Sequence, residues 1–141
     1  MNSLVLLMYS AAALSLQPSH FQNVFPAEHA SRIVELAQRD FHARAPQPGA
    51  GLPIPRNEAM RVVQSSAAAG LGAWCGVDWQ GYYLAFMGSE RARAWSNDQL
   101  AFIDTLFFVG QASLQKSMAK TPCGSNERES VSRLLSMHGS S

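Results

Sequence analysis

Trp95-Ser96-Asn97-Asp98-Gln99-Leu100-Ala101-Phe102-Ile103-Asp104-Thr105-Leu106-Phe107-Phe108-Val109 is the stretch that decides the fold. Ser96 followed three residues later by Gln99 has the form of a capping box, and Trp95 with Leu100 supplies the matching hydrophobic staple. Asp98 puts a carboxylate at the positive end of the helix that starts there. From Leu100 to Val109 the helix is apolar on nearly every side, interrupted only by Asp104 and Thr105. A helix with that distribution sits at the centre of a domain or at an interface. Leu114 and Met118 continue its core face, Lys116 and Lys120 suit its negative end, and Pro122 stops it. The spacing predicts a central helix over about 97–119.

The flanking segments read as further helices. From Ala27 to about Ala45, Ala30, Ile33, Val34, Ala37 and Phe41 fall on one helical face, with Pro26 as a first-turn proline. Glu28/Arg32 and Glu35/Arg39 lie on the opposite face as acid-first i, i+4 pairs. Residues 46–55, Pro46-Gln47-Pro48-Gly49-Ala50-Gly51-Leu52-Pro53-Ile54-Pro55, carry four prolines and two glycines and form a linker. Arg56 to about Ala73 is the next helix, with Met60, Val63, Ala67 and Leu71 on one face. Ala67-Ala68-Ala69-Gly70 makes its second half slim enough for close approach by a neighbour, and Gly70 and Gly72 mark a loosened end. Asp78 is the expected cap of a helix running to about Met87, on which Trp79, Tyr82, Tyr83 and Phe86 share a face. Glu127 to Met137 gives a short amphipathic helix or polar tail, with Val131, Leu134 and Leu135 on one side.

Composition agrees. The 141 residues contain twenty Ala and fourteen Leu against thirteen Val, Ile and Thr combined, which favours helices over strands. The fold class expected is all-α, a bundle of four to six helices around the 97–119 helix. Its organisation is an apolar N-terminal segment over 1–25, a helical domain over 26–124 and a terminal helix or tail over 125–141. Charged residues are 15% of the chain and the net charge is +1. That excludes a disordered chain and argues against a nucleic-acid binder, which needs a basic stripe. Residues 62–89 hold a single charge, Asp78. Such a segment is buried core or, in part, a surface that faces a partner.

Leu4 to Leu16 is too short to span a bilayer but matches the apolar region of a secretory signal, with small residues at Ala11-Ala12-Ala13. It lacks the basic start, and as a helix it places Leu4, Leu7, Met8 and Ala11 on one face. Both readings stand. Export makes the location periplasmic or secreted, with the cytoplasm as the alternative. In an oxidising compartment Cys75 and Cys123, 48 residues apart, form a disulfide.

Few residues suggest catalysis. Cys75 as a nucleophile would need a nearby histidine, and His138, in the tail, is the only one after it. Hydrolase, zinc-protease, phosphate-loop and dinucleotide motifs are all missing from the sequence. His29 and His42 lie thirteen positions apart and read as solvated helix residues, so no metal and no cofactor is expected. Asp104, in an apolar run, is paired with an arginine such as Arg91 or Arg93, or points outward.

Nine of the thirteen aromatic residues fall between Trp74 and Phe108, more than a domain of this size readily hides. Trp79, Tyr82, Tyr83 and Phe86 are therefore the expected partner-binding residues, with Trp79 and Tyr82 as anchors. In size, helicity and a lone cysteine pair the chain resembles small helical envelope proteins that serve secretion or conjugation machines. The function expected is a non-enzymatic protein-binding module, an accessory component of such an assembly, meeting a protein partner or a second copy. The alternatives are a small enzyme or ligand-binding bundle with an aromatic-lined pocket, and a cytosolic homodimeric regulator.

Overall fold

The structure, a computed structural model, describes residues 24–44 and 51–139. The expectations for Leu4–Leu16 and for 46–50 lie outside the described residues. Among those described, five helices follow one another with no strand: α1 (Ala27–Arg44), α2 (Arg56–Cys75), α3 (Gln80–Arg91), α4 (Asn97–Ser117) and α5 (Ser125–Gly139). The protein is an all-α bundle.

α4 is the central element. It packs most extensively on α2, takes α1 along another side, and leaves α5 to pack against α2 and α3. Its start follows the capping box: the Gln99 amide donates to Ser96 Oγ at 3.1 Å, and Gln99 Oε1 accepts from the Ser96 amide at 2.9 Å. The Gln99 side chain also donates to the Pro53 carbonyl at 3.1 Å, which fastens the end of the linker to the start of α4. The helix ends at Ser117, with Met118 as its C-cap, two residues short of the expected end.

Small residues let α2 and α4 approach closely. A Cβ added at Gly70 would stand 2.7 Å from Leu114 Cβ and 3.0 Å from the Gln111 carbonyl oxygen. At Gly110 it would strike the Ser66 hydroxyl. The slim second half of α2 has the consequence expected of it. Gly70 and Gly72, however, do not loosen the helix end. α2 runs on to Cys75, and Gly76 closes it in the left-handed conformation at φ 67°. Gly72 instead makes room for Leu135 of α5 and for Trp79.

α3 also starts later than expected. Trp79 is its N-cap residue, and the Asp78 carboxylate accepts from the Gln80 amide at 3.0 Å, bracing the turn before the helix. The Glu28/Arg32 and Glu35/Arg39 pairs do not close. The ion pair of α1 among the described residues is Arg44 with Asp40 at 3.0 Å.

Two long-range ties complete the frame. The buried Gln64 side chain bonds both polar groups of one peptide position: it accepts from the Phe25 amide at 2.9 Å and donates to the Phe25 carbonyl at 2.8 Å. Cys75 and Cys123 stand at disulfide geometry, with Cα atoms 5.3 Å apart. Beside them Trp74 Nε1 donates to the Thr121 carbonyl at 2.7 Å.

Candidate functional site

The four aromatic residues picked from sequence are all half-buried between α3 and α4. They pack in two directions, toward Phe107 and toward Phe108. Tyr82 and Phe86 lie on the buried Phe107, with ring centroids 6.2 and 5.1 Å away, and Tyr82 donates its hydroxyl to the Ser65 carbonyl at 2.6 Å. Burial pushes the Tyr82 hydroxyl well above the ordinary phenol range. Trp79 reaches outward to Phe108 at 6.0 Å, and Tyr83 lies between Phe107 at 5.2 Å and Phe108 at 4.9 Å. Tyr83 donates its hydroxyl to the Asp104 carboxylate, so Asp104 is partnered by a phenol rather than by an arginine.

Phe108 is the residue where this aromatic wall opens. It remains 39% exposed, and it forms one side of a groove of about 660 Å³ between α1 and α4. Val109 and Ala112 line the floor beside it, and Leu36, itself 47% exposed, faces it from α1. Asp104 and Arg44 stand toward one end and Lys116 toward the other. Arg44 is held there by Asp40 at 3.0 Å and by the Thr105 hydroxyl at 3.1 Å.

Leu36 and Phe108 were not among the expected site residues. The sequence carried a signal for each. Leu36 is an apolar residue next to Glu35 on the polar side of α1, and Phe108 belongs to a helix stretch that is apolar on nearly every side.

His29 is half-buried rather than solvated. Its ring lies 5.3 Å from that of Phe25, and Nε2 is 3.3 Å from the Ser113 hydroxyl at the groove's edge. Burial, with Arg32 adding to it, holds the His29 pKa below the ordinary 6.5. A neutral histidine beside a serine suggests acyl-transfer chemistry, which also needs an orienting group and preorganised oxyanion donors. Among the described residues no carboxylate hydrogen-bonds His29. Ser113 sits within α4, where neighbouring amides serve the helix. The pair fits packing better than catalysis. His42 lies elsewhere, over Phe41, with both ring nitrogens shielded and without hydrogen-bond partners. Among the described residues no group of three or more His, Cys, Asp or Glu side chains could hold a metal ion.

A second polar cluster is structural. Glu90, its side chain only 3% exposed, takes both terminal nitrogens of Arg61 at 2.7 and 3.0 Å and the Trp95 indole at 3.1 Å. Arg93 closes on Glu58 at 2.7 Å, and that hydrogen bond holds the Glu58 carboxyl below its ordinary range. The network ties α2 to the end of α3 and to the turn before α4.

No family model matches the chain, and neither curated proteins nor solved structures give a match. No helix among the described residues is long and apolar enough to cross a membrane.

Proposed function

We propose that this chain is a non-enzymatic protein-binding module, an accessory component of a cell-envelope assembly of the secretion or conjugation kind. Binding falls to the surface formed by Leu36, Phe108, Trp79 and Tyr83, with Tyr82 and Phe86 fixing that wall from behind. The observation that carries the reading is Phe108, a large aromatic ring 39% exposed at the seam between the aromatic wall and an apolar groove. Exposed aromatic and aliphatic side chains in a continuous patch are the usual material of protein contacts. Most ionisable groups around the patch are bound to one another, Asp40 to Arg44 and Tyr83 to Asp104, while Lys116 lines one end without an ion pair among the described residues, which favours binding over catalysis. The envelope location is supported by Cys75 and Cys123, because disulfides persist in oxidising compartments.

The test is a photo-crosslinking amino acid placed at position 108 or 36 and, as control, at the exposed Glu129 on α5. In the native host, positions 108 and 36 give a discrete protein adduct and position 129 does not. Failure of both groove positions to give an adduct overturns the reading.

A further inference from the structure

Resting on the reading of the groove as a binding surface, we infer that its occupant is a second copy of this chain, with the two α4 helices laid antiparallel about a twofold axis. The argument lies in one row of α4. Asp104, Phe108, Ala112 and Lys116 follow one another every four residues and all line the groove. Residues four apart lie along one ridge of a helix, and such ridges are what helices use to pack on each other. The row reads acid, large aromatic, small, base. Turned end for end it reads base, small, large aromatic, acid. An antiparallel copy centred midway between Phe108 and Ala112 therefore puts Asp104 on Lys116, Phe108 on Ala112, and the same pairs again in reverse. A twofold interface demands this reciprocity, in which residue i meets j and j meets i. A parallel copy would set acid on acid, ring on ring and base on base.

The charges are available for such pairing. Neither Asp104 nor Lys116 forms an ion pair among the described residues, although Asp104 accepts the Tyr83 hydroxyl. The row spans about 18 Å at 1.5 Å per residue, the length of a short helix-to-helix contact. Steric fit follows the charges, since the exposed Phe108 ring needs a small residue opposite and Ala112 provides it. Leu36 then covers the side of the partner helix.

Sedimentation equilibrium of the full chain tests the inference. The wild-type protein gives twice the chain mass. Lys116→Glu and Asp104→Lys each place like charges at both ends of the row, weakening self-association by about tenfold or more. Mixed in equal amounts, the two variants restore the complementary pairs, and a heterodimer returns. Thermal melts establish that each variant is folded. Lys116→Glu alters only an exposed side chain and decides the matter alone should Asp104→Lys fail to fold. A monomeric wild type, a Lys116→Glu protein that dimerises as tightly as wild type, or folded variants that stay monomeric when mixed would each overturn the inference. A monomeric wild type that still gives a crosslinked adduct at position 108 overturns the second copy alone and leaves the binding-module reading intact. A monomer with no adduct removes both.

Discussion

One amino-acid change, glycine to alanine, should act with opposite signs at two helical positions of this protein. At Gly70 the new methyl would stand 2.7 Å from Leu114 Cβ and 3.0 Å from the Gln111 carbonyl oxygen. Neither atom can rotate away, because one is fixed to the backbone and the other belongs to it. To reach ordinary contact near 3.4 Å, α2 and α4 must part by about 0.7 Å along the line to Leu114. Overpacking of this kind costs about 2–3 kcal/mol, while alanine returns about 1 kcal/mol of helix propensity. The net loss is about 1–2 kcal/mol, which lowers the melting temperature by about 4–8 °C in a chain of this size. At Gly88, in α3, an added Cβ meets nothing within 4 Å. There only the propensity counts, and Gly88→Ala should gain about 0.5–1 kcal/mol, or about 2–4 °C. Thermal unfolding followed by circular dichroism at 222 nm reads both. If the two variants shift the melting temperature in the same direction, α2 and α4 do not cross at Gly70 as described.

The remaining expectations rest on other parts of the frame. Cys75→Ser opens a loop of 48 residues and should cost about 4 kcal/mol by loop entropy, seen as a melting transition that no longer responds to reductant. Ser96→Ala removes the acceptor for the Gln99 amide and should cost about 1 kcal/mol in a urea titration. Glu90→Ala strips Arg61 and Trp95 of their shared acceptor and should cost about 2–3 kcal/mol, whereas Glu127→Ala on α5 should change little. Burial, with the hydrogen bond to Asp104 adding to it, pushes the Tyr83 hydroxyl up from 10.0 to about 12. The folded state thus holds that proton more tightly, so its contribution is complete below pH 10 and fades as pH rises toward 12. Urea midpoints should fall across that window and fall less in Tyr83→Phe; equal slopes for the two proteins would count against it.

What the sequence made legible was local. The capping box at Ser96 and Gln99 needs only four consecutive residues to be recognised, and the core face of α1 needs only its period. The slimness of Ala67-Ala68-Ala69-Gly70 was visible for the same reason. The cysteine pairing rested on compartment and on the chain having only two. What escaped was set by distance along the chain. The groove exists because α1 lies beside α4, and Leu36 and Phe108 line it together across a separation that no local pattern encodes. The burial of Glu90 gave no local signal because it depends on Arg61, far upstream in α2. Asp78 looked like a cap because its chemistry suits one; α3 starts one residue later, with Trp79 as its N-cap packed beside Gly72. Of the four aromatic residues chosen for binding, their helical face was readable in advance. That Tyr82 and Phe86 pack on Phe107, Trp79 on Phe108 and Tyr83 on both was decided by how α3 lies on α4.

The link between Cys75 and Cys123 has a mechanical side. It closes a covalent ring that contains all of α3 and α4, while α1, most of α2 and all of α5 lie outside it. A force pulling on the two ends of the chain would pass from α2 straight to the segment leading into α5 through the sulphur atoms. The 48-residue ring would carry no tension, and about 170 Å of contour would stay hidden at about 3.5 Å per residue. The groove-bearing row on α4 lies inside that ring. This is the part of the chain that extension cannot unravel until the bridge is reduced.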